Sequence, residues 1–490
     1  MMLCAVIKGS NILDAKEQIK QASAWCNLIE LRLDYFENID LSLLKELLSF
    51  YPIPMIFTLR SASQGGHYKY SEKLRLSILE KLASLNPAYL DIEYHAPKEF
   101  IEKILLKYPK IKIILSYHNF EDTPANLEKI YQDMTVTPAF FYKIAITAKN
   151  SVDALKLVYF AKALNKNIIA ISMGLYGQIS RIIAPLISSP ITYVCLKETF
   201  ITAPGQLTAE ELIHRYNYPL LTTKTSLYGL IGNPVDQSIS DVTHNQFMKT
   251  THLDAIYVKM IVRAEELPLF LNLAKKLFRG LSVTMPLKEA ILPYLDQIDP
   301  EAHCIGAVNT LCFKEEKIYG YNTDGIGALN ALEQKGPIQD KHILILGAGG
   351  AAKAIAYKAL HKGGFVTVVN RSLDKAQKIA DHFGCQANSL ENIISLSQKG
   401  YDILINSTPL TMPIDAQAIV AGSLVMDIKT KPKETPFLAE AKNKQCHITY
   451  GYEMFIEQAL GQFNLWFKDK LESRSPEILY QITNSILDRI

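Results

Sequence analysis

Four features are missing from this sequence. Charge of one sign is not in excess, because 52 Lys and Arg are balanced by 49 Asp and Glu, leaving a formal charge of +3. The basic residues form no runs, so the chain lacks the electrostatic footprint of a nucleic-acid-binding protein but is compatible with small anionic ligands. No apolar run reaches the roughly 18 to 20 residues that span a bilayer. The start, MMLCAVIKGS, lacks a basic leader and a small-residue cleavage site, so we expect a cytoplasmic protein without membrane or nucleic-acid partners.

Paired cysteines and metal-binding motifs are also missing. The seven cysteines contain no CxxC pair and their number is odd, and a chain of this size needs no disulfides to stabilise its core. The histidines lack zinc-like spacing with cysteines or carboxylates. We therefore expect reduced thiols and no metal.

The length and the order of apolar runs predict the architecture of the first part of the chain. With 490 residues and 48% hydrophobic content, the chain should form two to four domains at about 100 to 200 residues each. Eight short apolar runs alternate with segments of helical periodicity. The predicted strands cover residues 3–8, 28–35, 55–60, 89–94, 111–117, 140–146, 168–173 and 192–196. Eight strand–helix repeats in about 210 residues match the minimum size of a (β/α)8 TIM barrel.

The remainder of the chain predicts two further α/β units. After a linker at 217–225, strands are expected at 227–231, 256–261 and 281–284, followed by a hairpin around Lys314-Glu315-Glu316. From His342 onward, strands alternate with helices in the doubly wound pattern of a Rossmann domain. A final amphipathic helix, 454–468, should pack back on the middle unit. The predicted domains are a barrel at 1–218, a substrate-binding lobe at 225–335 completed by 456–490, and a dinucleotide-binding lobe at 336–455.

A glycine-rich turn is the strongest local signal. Gly347-Ala348-Gly349-Gly350-Ala351 follows an apolar strand and opens a helix. Glycines there allow backbone N–H groups to approach a pyrophosphate at the helix N-terminus. The next strand ends in Asn370-Arg371-Ser372, where an NAD enzyme would carry an acidic residue. A guanidinium suits a 2′-phosphate, so NADP is expected; a solvated surface arginine is the alternative.

Polar residues in the middle unit form a second group. Ser238 and Ser240 precede a helix, Lys288 follows SVTMP, Asn309 lies in GAVNT and Asp324 lies in NTDG. Each has an ordinary structural role available to it, such as a helix cap or a surface lysine. Together they supply hydroxyl and amide groups for a polyol, with one lysine and one aspartate for proton transfer.

Charged residues at strand ends form a third group in the barrel half. It consists of Glu30, Arg32, Arg60, His118, Lys143, Arg181 and Gln206. Burial of Lys143 in the apolar run FFYKIAI would disfavour its charged form and give a nucleophilic amine. A lysine that extends its amine to the barrel rim is the alternative. His118 alone would more often be structural, but it ends a barrel strand, where active sites gather.

The second half resembles shikimate dehydrogenase from Thr225 to the C-terminus. The segments GNPVDQSIS, SVTMPLKE, GAVNTL, GYNTDGIG, ILGAGGAAKA, NRS, NSTP, TPFL and GYEMFIEQA occur in that family's order. The resemblance implies hydride transfer from NADPH to 3-dehydroshikimate, with Lys288 and Asp324 as the catalytic pair. It also implies substrate contacts from Ser238, Ser240, Thr284, Asn309 and Gln458, and cofactor contacts from Gly347, Ala348, Gly349, Gly350, Ala351, Asn370, Arg371, Ser372, Thr408 and Gly451. The chain departs from the family's usual pattern at Asp241, Ser282 and Thr430, which replace Pro, Asn and Tyr.

The first half resembles type I 3-dehydroquinate dehydratase. The motifs ELRLD, TLRS, SYHNF, KIA, ISR and APGQ occur in order across residues 1–218. The resemblance implies that Lys143 forms a Schiff base with the substrate ketone and that His118 is the general acid and base. It further implies substrate contacts from Glu30, Arg32, Arg60, Arg181, Thr202 and Gln206. Gln64 stands where the family has an acidic residue, so we expect a weaker dehydratase.

The two resemblances share an intermediate and predict one bifunctional enzyme. The barrel would convert 3-dehydroquinate to 3-dehydroshikimate, and the second half would reduce that product to shikimate with NADP as cofactor. One alternative is a monofunctional dehydrogenase whose barrel is a docking module. Another is a quinate- or shikimate-sensing regulator, which should have lost Lys143, His118, Lys288 or Asp324. The sequence carries no signal for an oligomeric state.

Overall fold

The contacts divide the chain into two units, Met1–Thr225 and Ser226–Ile490. The computed structural model describes residues 1–164 and 167–489, so Ile490, the last residue of the predicted substrate lobe, lies outside it. Within these ranges, no helix has the length and apolar character to cross a bilayer. In the same residues, no group of three or more His, Cys, Asp or Glu side chains could hold a metal ion.

The first unit is a nearly closed parallel barrel, which confirms the predicted fold class. Its strands are β1 (Met2–Ile7), β2 (Leu28–Arg32), β3 (Met55–Thr58), β4 (Tyr89–Glu93), β5 (Lys112–Asn119), β6 (Phe141–Thr147), β7 (Ile168–Met173) and β8 (Ile191–Val194). They hydrogen-bond in the order β7-β6-β5-β4-β3-β2-β1-β8. Side chains such as Ile56, Ile114 and Ile169 form a core cluster of this unit. Because successive side chains of a strand point to opposite faces, the alternate positions can carry polar groups on the other face.

Helices connect successive strands of the barrel. They are α1 (Ile12–Ala22), α2 (Leu41–Phe50), α3 (Glu72–Ser84), α4 (Lys98–Lys107), α5 (Leu127–Thr135), α6 (Ser151–Leu164) and α7 (Gln178–Ile182). Their ends follow ordinary capping rules. The Asn11 side chain, for example, accepts hydrogen bonds from the first-turn N–H groups of Leu13 and Asp14 and so starts α1. The apolar face of that helix, with Ala15 and Ile19, is buried.

The second unit begins with a mixed sheet. Its strands are β9 (Ser226–Gly232), β10 (Ala255–Ile261), β11 (Gly280–Val283), β12 (Gln297–Ile298), β13 (Thr310–Lys314) and β14 (Lys317–Tyr321), in the order β10-β9-β11-β13-β14-β12. Its helices are α8 (Ser240–Thr250), α9 (Leu267–Leu277), α10 (Leu287–Ala290), α11 (Pro300–Ile305) and α12 (Asp324–Glu333). The predicted hairpin is present as β13 and β14. Glu315 and Glu316 both have positive φ, the backbone that a two-residue hairpin loop requires.

A second, fully parallel sheet follows and matches the predicted Rossmann pattern. Its strands are β15 (His342–Leu346), β16 (Phe365–Asn370), β17 (Gln386–Ser389), β18 (Ile403–Asn406), β19 (Leu424–Asp427) and β20 (His447–Thr449), in the order β17-β16-β15-β18-β19-β20. Its helices are α13 (Gly350–His361), α14 (Leu373–Phe383), α15 (Ile393–Lys399) and α16 (Pro436–Asn443). The short strands β12, β17 and β20 lack a long apolar run and were not predicted.

The last two helices return to the mixed sheet, whereas the sequence predicted one, at 454–468. They are α17 (Gly451–Phe467) and α18 (Ser475–Leu487). Ile456 and Phe463 of α17 pack in one cluster with Tyr228 and Phe247, which lie on β9 and α8. The boundary between the two lobes at residues 335 and 336 stays a prediction.

Candidate active sites

A cavity of about 70 Å³ in the barrel brings together the predicted residues of the first half. Its lining includes Glu30, Arg32, Arg60, His118, Lys143, Arg181, Thr202 and Gln206, with Gln64, Phe120 and Tyr193 beside them. These residues come from strands and strand ends around the barrel, so closure of the sheet assembles them.

Lys143 is the buried amine at the centre of this site. Its side chain is 7% exposed, and its Nζ lies 3.3 Å from Asp91 Oδ2 and 3.8 Å from Glu30 Oε1. The ammonium also lies over the ring of Tyr193, 4.2 Å from its centroid. The sequence argument considered burial alone, whereas the structure places two carboxylates and an aromatic ring beside the amine. Two carboxylates and an aromatic face offset the desolvation of the ammonium.

Two buried carboxylates that the sequence analysis missed organise the site around Arg60. Arg60 Nη2 lies 2.8 Å from Asp91 Oδ1, and Arg60 Nη1 lies 3.3 Å from Glu93 Oε1 and 2.8 Å from the hydroxyl of Ser116. Although burial opposes ionisation, Arg60 and Lys143 hold the pKa of Asp91 below its usual range. The strand sequence YLDIE could have predicted these two carboxylates, because residues two apart on a strand, such as Asp91 and Glu93, point to the same face.

Arg32 is likewise paired within the protein. Its guanidinium forms two hydrogen bonds, of 2.9 and 2.8 Å, with the carboxylate of Asp34. That carboxylate also accepts the backbone N–H of His67 at 3.0 Å. Arg32 and Arg60 therefore enter the cavity with their charge already compensated by carboxylates.

Arg181 differs from the other two arginines. It is 3% exposed, and its Nη1 donates to the carbonyl of Tyr193 at 3.3 Å. Among the described residues its Nε has no hydrogen-bond partner, and neither does Nε2 of Gln206. Burial lowers the pKa of Arg181 to about 10. Gln206 Oε1 is fixed by the N–H of Thr202 at 2.9 Å, so the two free donors are available to an anionic ligand.

His118 is held by its backbone and by stacking. Its backbone N–H donates to Gln64 Oε1 at 3.3 Å, and its ring lies parallel to that of Phe120 at 6.1 Å between centroids. Nδ1 of the ring has no partner within the described part of the chain. Desolvation, followed by the charges of Arg60, Lys143 and Arg32, holds the pKa of His118 well below its usual value. The imidazole is neutral and can take up a proton.

If the barrel has the dehydratase activity that its resemblance implies, we expect the acid limb of its kcat/KM profile to lie well below pH 6.5, the ordinary range of histidine. A depressed pKa keeps the imidazole in its base form as the pH falls. Gln64→Glu should move this limb to higher pH, because a carboxylate near the ring stabilises imidazolium. The pH dependence of 3-dehydroquinate turnover gives the acid limb of the wild type and of Gln64→Glu. Gln64→Met is the matched neutral control. If the acid limb lay at the same pH in Gln64→Glu and in the wild type, it could not be assigned to the His118 imidazole.

A second cavity, of about 210 Å³, collects the predicted substrate residues of the second unit. Its lining includes Ser238, Ser240, Thr284, Lys288, Asn309, Asp324 and Gln458, together with Ala351 and Gly451 of the predicted cofactor set. Thr430 also lies here, at a position where the chain departs from the family pattern.

The predicted catalytic pair of the second unit is in direct contact. Lys288 Nζ lies 2.5 Å from Asp324 Oδ2. Asn309 Nδ2 donates to Asp324 Oδ1 at 2.9 Å, while Asn309 Oδ1 accepts from Thr310 Oγ1 at 2.7 Å and from the N–H of Thr323 at 2.9 Å. Asn309 is thus held from both sides and fixes the carboxylate that faces the lysine.

A buried hydrogen-bond chain in the wall of this cavity was not predicted from the sequence. Tyr257 donates to Ser282 Oγ at 2.7 Å, and Ser282 donates to Gln462 Oε1 at 2.8 Å. Gln462 Nε2 then donates to Thr310 Oγ1 at 3.0 Å. The chain links Ser282, a departure from the family pattern, to the residues around Asn309. His244 lines the same cavity, and burial lowers its pKa to about 3, so its imidazole is neutral.

The predicted cofactor residues lie at one edge of the parallel sheet. Pairing of Leu346 with Val369 and with Asn406 places the ends of β15, β16 and β18 side by side. Gly347 has φ +111°, and Gly349 caps α13 with open space where a Cβ would stand. Thr408 is fixed by two hydrogen bonds to Asn406 Oδ1. Open backbone at a helix N-terminus fits a pyrophosphate.

The remaining predicted cofactor residues lie at the end of β16, in the loop after it and at the start of α17. Asn370 Nδ2 donates to the carbonyl of Ser372 at 3.0 Å, which shapes the loop after β16 and leaves Arg371 exposed. At Gly451, a Cβ would stand 2.1 Å from the carbonyl oxygen of Lys429. Only glycine allows that close approach of the α17 N-terminus.

Three family models match successive parts of the chain. The model for type I 3-dehydroquinase matches residues 3–220. The model for the shikimate dehydrogenase substrate binding domain matches residues 230–311, and that for shikimate / quinate 5-dehydrogenase matches residues 330–437. Both resemblances noted in the sequence are confirmed.

Relatives match the chain over nearly its whole length. The shikimate biosynthesis protein AroDE of Chlamydia pneumoniae is 41% identical and covers 97% of each chain. A chloroplastic bifunctional 3-dehydroquinate dehydratase/shikimate dehydrogenase of Arabidopsis thaliana is 33% identical over 95% of this chain and 82% of its own. A shikimate dehydrogenase solved in complex with NADP+ is 35% identical over 55% of this chain and 97% of its own, with a TM-score of 0.51. The chain belongs to the family of bifunctional 3-dehydroquinate dehydratase/shikimate dehydrogenases.

Proposed function

We propose that the barrel dehydrates 3-dehydroquinate to 3-dehydroshikimate through a Schiff base on Lys143. Asp91 and Glu30, both within 4 Å of Nζ, can accept the proton that the ammonium must lose before it attacks the ketone. The resulting imine withdraws electrons from the adjacent carbon. His118 removes a proton from that carbon and returns it to the departing hydroxyl, which leaves as water. Hydrolysis of the imine releases the enone product and regenerates Lys143.

The donors of Arg181 and Gln206 would bind the substrate carboxylate. Of the three cavity arginines, Arg32 and Arg60 are neutralised by carboxylates, while Arg181 is held only through a backbone carbonyl in the described contacts. A buried cation without a counter-ion gains most from an anionic ligand.

We expect Arg181→Met to raise the KM for 3-dehydroquinate by about 100-fold. Loss of the guanidinium removes a desolvated cation from the carboxylate, whereas the amine chemistry at Lys143 persists. Steady-state kinetics of dehydration measure the change, with Arg215→Met, a more exposed arginine of the same unit, as control. An unchanged KM would assign the carboxylate to another group.

In the second unit we propose reduction of 3-dehydroshikimate to shikimate with NADPH. The cofactor supplies a hydride when it is bound at the edge formed by Gly347 and Gly349. Lys288 donates a proton to the oxygen that becomes the alcohol, and Asp324, in contact with its amine, orients the lysine. Ser238 and Ser240 would bind the substrate carboxylate.

Arg371 should determine the choice of cofactor. We expect Arg371→Ser to raise the KM for NADPH by about tenfold or more and to leave that for NADH nearly unchanged, because only NADPH carries a 2′-phosphate. Kinetics with both cofactors measure the ratio, and Arg474→Ser, another exposed arginine of this unit, is the control. Equal efficiencies of NADPH and NADH with the wild type would overturn the assignment.

The observation that carries the proposed function is the assembly of both predicted catalytic sets, each in its own cavity. The test incubates the protein with 3-dehydroquinate and NADPH, while borohydride is added to a parallel sample without NADPH. We expect shikimate in the first sample and a reduced adduct on Lys143 in the second, detected by mass. Reduction of added 3-dehydroshikimate without adduct or product from 3-dehydroquinate would instead identify the barrel as a degenerate module.

We also propose a cytoplasmic location. In the described part of the chain all seven cysteines are free thiols, which suits a reducing compartment. Attachment of a fluorescent protein and imaging in the native cell would test this location.

A further inference from the structure

A buried ion pair lies directly behind the two serines of the second cavity. Ser238 donates to Ser240 Oγ at 2.9 Å, and the N–H of Ser240 donates back to Ser238 Oγ at 3.2 Å. The next residue, Asp241, is 1% exposed, and its Oδ1 lies 3.2 Å from Lys259 Nζ. The same ammonium donates to the backbone carbonyl of Ser238 at 3.0 Å. Lys259 therefore holds both the carboxylate and the serine loop.

A buried carboxylate at position 241 is unfavourable for binding an anion at Ser240. Like charges a few ångströms apart repel strongly where water is excluded. The negative charge is felt at the cavity wall: burial raises the pKa of Tyr257, hydrogen bonds with Ser282 and Ser240 oppose the rise, and the Asp241 carboxylate adds to it. Tyr257 lines the same cavity as both serines.

Lys259 is well placed to cancel this charge. It lies on β10, and Asp241 lies on the first turn of α8, so their contact joins the strand to the start of the helix that carries Ser240. The lysine side chain is 19% exposed and the aspartate side chain 1%. Solvent therefore screens the aspartate poorly, and the nearby ammonium must compensate its charge.

We propose that Lys259 is a positioning and charge-compensating residue that makes the Ser238–Ser240 subsite receptive to a carboxylate. This inference rests on the proposed function, in which those serines bind the carboxylate of shikimate. The electrostatic role differs from a simple clamp in one respect. Removal of the cation alone should harm anion binding, while removal of both charges should restore it.

The test is a double-mutant cycle of Lys259→Met, Asp241→Asn and the combined variant, assayed by shikimate oxidation with NADP+. We expect Lys259→Met to raise the KM for shikimate by about tenfold or more, because an uncompensated anion then lies behind the serines that bind the substrate. Asp241→Asn should leave the KM at or below the wild-type value, since the lysine cation remains. The combined variant should recover most of the loss. The kcat should change by less than about threefold in all three variants.

A neutral ligand distinguishes an electrostatic effect of Lys259 on binding from a structural one. The inhibition constant of methyl shikimate, which lacks the carboxylate charge, should be nearly the same in all variants. Lys259→Arg should retain the wild-type KM because it retains the cation. The pair Lys341 and Asp402, joined at 3.1 Å in the same unit, provides a matched control cycle with no expected effect on KM.

Three results would overturn the inference. A clamp without an electrostatic role would make Asp241→Asn raise the KM as much as Lys259→Met and would leave the combined variant impaired. Equal losses for shikimate and its methyl ester would have the same meaning. Ser238→Ala tests the proposed carboxylate subsite separately. If this variant leaves the KM for shikimate unchanged, the proposed subsite is wrong. If it raises the KM while the Lys259 and Asp241 variants leave the KM unchanged, only the role of Lys259 is rejected.

Discussion

Lys143→Met should abolish dehydration of 3-dehydroquinate, with a loss of about 10,000-fold or more, while reduction of 3-dehydroshikimate continues at the wild-type rate. Methionine keeps the volume of the side chain but cannot form an imine, so the covalent route is closed. The substitution also leaves Asp91 with Arg60 as its remaining cation. We therefore expect the barrel to stay folded although its chemistry is lost.

The measurement combines kinetics with mass spectrometry. Borohydride should trap an adduct in the wild type and in Lys149→Met, an exposed lysine just beyond β6, but not in Lys143→Met. Reduction of 3-dehydroshikimate in the same sample reports that the second unit is intact. A Lys143→Met protein that still converted 3-dehydroquinate at an appreciable rate would reject the Schiff-base mechanism.

Lys288→Met should lower the kcat for 3-dehydroshikimate reduction by about 1,000-fold and change the KM far less. The ammonium is needed where negative charge develops on the reacting oxygen, so its loss acts on the transition state. Asp324→Asn should have a smaller effect on kcat, because the lysine remains but loses the partner that lies 2.5 Å from it. The variant that lacks both groups should have a kcat only slightly below that of Lys288→Met.

The control for this pair is another lysine of the same unit. Lys358 Nζ lies 2.7 Å from Glu301 Oε2, and Lys358→Met should keep the kcat within about threefold of wild type. Steady-state kinetics in both directions measure the effect, and the dehydratase rate of each variant serves as an internal reference. Equal losses in kcat for Lys288→Met and Lys358→Met would show that Lys288 has no specific role.

The sequence by itself determined the architecture of both units. Alternation of short apolar runs with helical periodicity is a local property, and it predicted the barrel and the Rossmann sheet. The turn from Gly347 to Ala351 was recognisable because its strand, glycines and helix are contiguous. The elements that were missed, such as QANS in β17, are short and polar and take their strand conformation from pairing with a neighbour.

The sequence also identified most polar groups of both candidate sites, but not their charge states. Lys143 was visible as a lysine in an apolar run, yet its two carboxylate neighbours come from β2 and β4. Arg32, Arg60 and Arg181 looked equivalent as residues near strand ends. The structure separates them, because Asp34, Asp91 and Glu93 neutralise the first two.

Only the tertiary structure decided which groups meet across long stretches of chain. Ser282 and Gln462 are 180 positions apart, and Asp241 reaches Lys259 only because α8 packs beside β10. Local sequence patterns set the conformation of each element, since backbone sterics and capping act over a few residues. Charge compensation and hydrogen bonding act through space, so they depend on strand register and helix packing.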